Sequence, residues 1–218
     1  MKSKSYVVFH FLFAWLIRLI FRIRVIGREN EPKRREGSYI VIANHISWAD
    51  PIFICAATRH QQPHYMAKKE LFKVPVLRRL VKSLGAYPVD RGGADVGAVK
   101  RSIKLLKDGY SVGVFPQGHR YPEVDPATTP VRSGVANFAI HSGASVLPAY
   151  IYTKNGRAKP FCRKVVILGK PISVEEMHYQ PEAPGEYARI AALLFAESCR
   201  LGEEYRAALQ AKKEKKNK

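Results

Sequence analysis

Acidic residues are scarce in this sequence. Asp and Glu number 18 against 37 Lys and Arg, so the 218-residue chain carries a formal charge of +19. Such an excess points to an anionic partner: nucleic acid, a lipid surface or a phosphorylated substrate. Cysteine is rarer still. Cys55, Cys162 and Cys199 are odd in number and scattered, which excludes a disulfide framework or a zinc cluster and makes a reducing compartment the default. Each is expected to be a small buried or half-buried side chain. No internal repeat and no Pro/Gly/Ser linker divides the chain, so one domain with a real core is the simplest organisation.

A long apolar run is also missing. The longest stretch, "YVVFHFLFAWLI" (Tyr6 to Ile17), is interrupted by His10 and followed by Arg18. Even extended to Phe21 it is marginal against the ~20 residues a spanning helix needs. Arginines after the apolar core also exclude a signal-peptide cleavage site. An ordinary buried helix is one reading. A re-entrant or interfacial helix is the better one, with Tyr6 and Trp15 suited to the headgroup zone. Arg18, Arg22, Arg24, Arg28, Lys33, Arg34 and Arg35 would then lie against anionic lipid on the cytoplasmic face. The expected organisation is a membrane-associated helical segment over 1–24, a main domain over 25–212 and a basic tail, 213–218. A nucleic-acid-binding module would use the charge but waste the apolar N-terminus, and no basic strand studded with aromatics offers a stacking platform.

What is present is alternation. Strands are predicted at "FRIRVIG" (21–27), "SYIVIA" (38–43), "HYMAK" (64–68), "GAYPVD" (85–90), "YSVGVFP" (110–116), "SVLPAYIY" (145–152) and "RKVVILGKP" (163–171). Helical spacing covers 51–59, 70–84, 95–108, 132–142 and 186–212. The pattern predicts an α/β domain with a mixed, mainly parallel central sheet of about seven strands flanked by helices. In such sheets ligands gather where strands end and helices begin.

"VIANHISWADP" (Val41 to Pro51) sits at such a junction. His45 and Asp50 are five positions apart. On a helix, at about 100° per residue, they would diverge, and on a strand they would face opposite sides. They meet only if the chain turns between them. "SYIVIA" supplies a strand before the turn, and Asp50-Pro51 reads as a helix N-cap followed by proline at the first helical position. The pair is then a plausible base and its orienter. Three further strand-to-helix junctions carry arginine: Arg91 before Gly92 and Gly93, Arg120 in "VFPQGHRYP", and Arg132 at the start of a helix. Arginine, open glycine amides and helix N-termini are what a phosphate monoester needs.

These stretches resemble the glycerolipid acyltransferases, in particular the 1-acylglycerol-3-phosphate acyltransferases. "NHISWAD" resembles the family's NHxxxxD motif, "GAYPVDR" its second block (G-x-x-F-I-D-R), "VFPQGHR" its third (F-P-E-G-T-R) and "SVLPAYI" its fourth. All four come in family order between Gly37 and about Tyr152. Four positions depart from the pattern: Pro88 replaces the usual aromatic, Gln117 the glutamate and His119 the threonine, and Tyr121 follows Arg120.

The resemblance implies an acyltransferase fold over 25–212, a membrane-docking N-terminus and a reaction. The free hydroxyl of lysophosphatidic acid attacks an acyl thioester, a thiol leaves, and phosphatidic acid results. His45 would be the general base and Asp50 its orienter. Arg91, Arg120, Arg132 and Gly118 would hold the acceptor phosphate. Asn44, Gln117 and His119 would support the motifs, with Asn44 a candidate for steadying the oxyanion. No metal, cofactor or protein nucleophile is required. The donor would be acyl-coenzyme A or acyl carrier protein, the partners an anionic membrane and lysophospholipid, with no nucleic acid. Two other readings stay open: another lysolipid acceptor (a lyso-aminolipid or a different lysophospholipid), and an inactive membrane-interaction protein, against which the intact His45/Asp50 pair speaks.

Overall fold

Tyr39, Ile40, Val41 and Ile42 are all buried, an unbroken apolar run of the kind that fits a parallel strand covered on both faces. They form β2 at the centre of a seven-stranded sheet in the computed structural model, which describes residues 15–83, 85–90, 95–159 and 161–216. The strands are β1 (Ile23–Ile26), β2 (Tyr39–Ile42), β3 (His64–Lys68), β4 (Tyr87–Val89), β5 (Val112–Val114), β6 (Ser145–Thr153) and β7 (Lys164–Leu168). Their spatial order is β1-β7-β6-β2-β5-β3-β4. Every pairing is parallel except β6 with β7, the one consecutive pair joined without a helix.

Among the described residues, α1 (Asp50–Ala57), α2 (Pro75–Ser83), α3 (Val96–Lys107), α4 (Gly134–Ser142) and α5 (Glu186–Lys216) clothe the sheet. The period-two alternation of β2 divides the core. Tyr39 and Val41 pack on one face with Phe53 and Ile54 of α1, Leu147 and Val166. Ile40 and Ile42 pack on the other with Val112, Phe138 of α4, and Ile190 and Leu194 of α5. Each such side chain contributes about 1.5–3 kcal/mol when fully buried. On β5 the Tyr65 ring occupies the space over Gly113, where an added Cβ would lie 2.0 Å from it.

Several boundaries differ from the sequence reading, each for a local reason. The helix expected over 70–84 is split into a 3-10 turn, Lys69–Phe72, and α2, because Pro75 suits only a first turn. β1 starts at Ile23, after Arg22 takes a left-handed φ of +46°, so the strand straddles the domain boundary expected after residue 24. α5 runs to Lys216, carrying four residues of the expected basic tail as helix. Asp50 is the first residue of α1 and Ala49 its N-cap, a shift of one position. Cys55 and Cys199 are buried as expected, whereas Cys162 is exposed.

The apolar N-terminal run lies largely outside the described residues, as does Arg91. Of that run, residues 15–20 are helical, with Ile17 buried against Ile52 and Ala56. Among the described residues no helix is long and apolar enough to cross a membrane.

Candidate active site

β2 ends at Ile42 and α1 begins at Asp50, and the turn between them brings the two halves of the HxxxxD pair together. His45 Nδ1 lies 2.8 Å from Asp50 Oδ2. The same oxygen accepts the backbone N–H groups of Ile46 (2.6 Å) and Ser47 (2.8 Å), so the carboxylate reaches back into the turn that carries the histidine rather than forward over its own helix. With two N–H donors already on Oδ2, the third contact is best made by Nδ1–H. That fixes the neutral tautomer and leaves Nε2 with its lone pair free.

Asp50 is fully buried, and among the described residues its Oδ1 has no partner. Burial pushes the carboxyl pKa up, opposed by the bonds from His45, Ser47 and Ile46. A proton on Oδ1 would find no acceptor there. The His45 side chain is 13% exposed and stacks on Phe115, ring centroids 4.2 Å apart at 16°. Phe115 follows β5, beside β2, and Tyr65 of β3 stacks in turn at 5.8 Å.

The third motif clamps the histidine backbone at both ends. Gln117 Oε1 accepts the His45 N–H at 2.6 Å, and the Tyr121 N–H donates to the His45 carbonyl at 2.8 Å. Gln117 Nε2 then donates to Thr129 Oγ1 (2.7 Å), which donates to the Pro126 carbonyl (2.6 Å). Asn44 is buried and spends both amide atoms on Ile151 of β6: Nδ2 donates to its carbonyl at 3.1 Å and Oδ1 accepts its N–H at 2.7 Å. This commitment replaces the oxyanion role expected for it. Asn44 ties the strand end in place.

His45 opens onto a cavity of about 310 Å³ lined by both apolar and polar groups. Met66, Val89, Val99, Val114, Val135 and Phe138 form its apolar wall. Gly118, His119 and Arg132 lie on the wall as well, with Asp90 and Asp95. Gly118 has φ +71°, and an added Cβ would fall 2.5 Å from Arg132 Nε, so the absence of a side chain lets the guanidinium lie over the loop backbone. The Arg132 N–H is anchored to the Pro116 carbonyl at 2.8 Å. Arg120 is exposed and not part of the cavity wall, and Gln117 is buried behind it.

The structure thus brings His45, Asp50, Gly118, His119 and Arg132 to one place, with Asn44 and Gln117 as supports. Phe115 and the apolar wall were not legible as site residues. Phe115 had a signal in "VFPQG", since an aromatic at the end of a strand paired with β2 has to lie near the end of β2. Among the described residues no group of His, Cys, Asp and Glu is arranged to hold a metal ion.

Known proteins resemble this chain in sequence and in fold. The family model described as Acyltransferase matches residues 22–152. The chain is 31% identical over 184 residues to the 1-acyl-sn-glycerol-3-phosphate acyltransferase of Bacillus subtilis (strain 168), covering 83% of this chain and 87% of that protein. It is 29% identical over 147 residues to the enzyme of the same name from Streptococcus pneumoniae, covering 66% of this chain and 53% of the relative. The fold is similar to the crystal structure of the 1-acyl-sn-glycerophosphate (LPA) acyltransferase PlsC from Thermotoga maritima. There the TM-score is 0.65 at 24% identity, over 94% of this chain and 79% of that one.

Proposed function

The chain belongs to the Acyltransferase family, and from that premise we propose that it acylates the free hydroxyl of lysophosphatidic acid, giving phosphatidic acid for phospholipid synthesis. The observation that carries the proposal is the 2.8 Å contact between His45 and a buried Asp50, at the wall of a cavity that also holds Arg132.

Nε2 of His45 takes the proton of the acceptor hydroxyl as its oxygen attacks the thioester carbonyl. The C–O bond forms and the C–S bond breaks as the tetrahedral intermediate collapses. The proton passes from Nε2 to the departing thiolate. Asp50 holds the imidazole in the working tautomer and balances the transient imidazolium charge. The acceptor itself supplies the nucleophilic oxygen, so no protein nucleophile takes part. The acyl donor is the thioester of coenzyme A or of acyl carrier protein, and both carriers are acidic enough to suit a chain of charge +19. Arg132, lying over Gly118, takes the acceptor phosphate; the motif resemblance assigns Arg91 and Arg120 to the same phosphate. The apolar wall takes acyl chain.

The enzyme works at the cytoplasmic face of a membrane. The exposed side chains of Trp15, Leu16 and Leu19 support that reading, together with an N-terminal sequence that has no acidic residue before Glu29. The test is to incubate the purified protein with labelled acyl-coenzyme A or acyl carrier protein and a panel of lysolipids. Phosphatidic acid should be the main product. Preferential acylation of a lyso-aminolipid would reassign the acceptor and direct attention to His119.

A further inference from the structure

Three arginines converge at the end of α1 opposite the dyad. Arg18, in the helical residues 15–20, reaches the carbonyl of Ala56 in the last turn of α1, through Nε at 2.8 Å and through Nη2. Arg59 follows just after α1, and its N–H donates to Glu31 Oε2 at 2.7 Å. Arg28 opens the 3-10 turn Arg28–Asn30 that leads into Glu31. Hydrogen bonds thus hold the Arg18 guanidinium at the last turn of α1 and tie the backbone of Arg59 to Glu31, three residues from Arg28, and the three side chains are close enough for their charges to act on one another.

The spot sets one negative charge, Glu31, against three positive ones. Glu31 is buried, and its carboxylate already accepts from the Tyr39 hydroxyl (3.0 Å) and from the N–H groups of Arg59 and His60 (2.7 and 2.8 Å). Among the described residues no carboxylate pairs with the side chains of Arg28 or Arg59, and Arg28 Nε is buried without a hydrogen-bond partner. Residues 1–28 contain no Asp or Glu that could bring one. The crowding leaves its mark. Burial and the charges of Arg28 and Arg59 hold Arg18 down at about 10, and burial and Arg59 lower Arg28 against the pull of Glu31. A buried, unpartnered N–H on a guanidinium is costly unless a ligand takes it.

We propose that Arg18, Arg28 and Arg59 form a binding site for the phosphate of an anionic phospholipid in the membrane on which the enzyme sits. The proposal rests on the membrane association argued above. A phosphate offers several oxygens to several planar donors at once, which fits this cluster better than a single carboxylate does. Lipid is favoured as the source by the neighbouring surface. The helix that supplies Arg18 turns Trp15 (61% exposed) and Leu19 (60%) outward. Phe161, 71% exposed, is tethered beside them by its N–H to the Ile20 carbonyl at 3.0 Å. Apolar side chains next to an arginine cluster of net positive charge match the boundary between acyl chains and headgroups. The site is separate from the acceptor phosphate. α1 rises roughly 10 Å between Asp50 and Ala57 at about 1.5 Å per residue, and none of the three arginines lines the catalytic cavity.

The test is co-sedimentation of the full chain with vesicles of phosphatidylcholine alone or with added phosphatidylglycerol, at one salt concentration. Arg28→Gln/Arg59→Gln should lose at least about tenfold more affinity for the anionic vesicles than Arg34→Gln/Arg35→Gln, which removes the same charge from an exposed turn. Binding to phosphatidylcholine and acyl transfer to detergent-dispersed lysophosphatidic acid should change in neither. Arg28→Lys/Arg59→Lys should fall between the two, since it keeps the charge and loses the fork. Lipid-free Arg28→Gln should melt no lower than the parent, because like-charge repulsion is relieved. Equal losses in the two Gln pairs would reduce the cluster to diffuse charge and overturn the proposal. So would a lower melting temperature, or a stabilising shift by inorganic phosphate as large as that by the anionic lipid. If the intact chain pelleted with neither vesicle, the membrane reading would fall and this site with it, while detergent activity would still stand.

Discussion

The side-chain oxygen of Gln117 accepts the backbone N–H of His45 at 2.6 Å, joining the third sequence motif to the first. The other side of the amide donates to Thr129, whose own hydrogen goes to the Pro126 carbonyl. A glutamate here would present a second acceptor to Thr129, and the hydroxyl would have to turn and abandon Pro126. Because Gln117 is buried and off the cavity wall, Gln117→Glu should leave the ranking of lysolipid acceptors unchanged. It should lower stability by about 1 kcal/mol, the net worth of one hydrogen bond. Parallel acceptor assays and thermal melts check this. A reversed acceptor ranking would show that position 117 reads the headgroup.

Asp50 links stability to pH with a definite sign. Burial raises its folded pKa above the unfolded value of about 3.9. Between those two values the native state keeps a proton that the unfolded state has lost, so this group's contribution falls as pH rises through the window. Asp50→Asn lacks the slope and still offers an oxygen to Ile46 and Ser47. Denaturant titrations from pH 4 to pH 7 should show the variant gaining on the parent as pH rises, while its activity drops because imidazolium is no longer balanced. Its turnover loss should be smaller than that of a variant lacking the histidine. A parent that gained on the variant with rising pH would contradict the burial argument.

Gly118 and Arg132 should fail together. An added Cβ at Gly118 would collide with Arg132 at 2.5 Å and strain a backbone at φ +71°. Gly118→Ala and Arg132→Ala should each raise the acceptor KM and depress turnover by about 10- to 150-fold, the worth of a charge-assisted bond of roughly 1.5–3 kcal/mol. Arg132→Lys should recover part of the loss. Donor binding should change little. If a phosphate-free acceptor suffered as much, Arg132 would not be reading phosphate.

The sheet was legible because its signals are local and redundant. All seven strands lie where short apolar runs, bounded by turn residues, had indicated, and the His45/Asp50 turn follows from their five-residue offset. The antiparallel β6–β7 pair and the tertiary wrapping of Gln117 around His45 depend on contacts between separate segments. Period and propensity do not encode those contacts. Asn44 shows the limit most clearly. Its motif position suggested chemistry, and only the folded chain reveals that its amide is spent on Ile151, 107 residues away in sequence.

The central claim is that Nε2 of His45 takes the acceptor proton. The most direct test is the turnover of purified His45→Ala with saturating acyl thioester and lysophosphatidic acid, after far-UV spectra and vesicle binding have shown the variant to be folded and membrane-bound. The dyad requires a loss of about 10²–10⁴-fold, the usual contribution of a general base. Turnover at the parental rate would contradict the account.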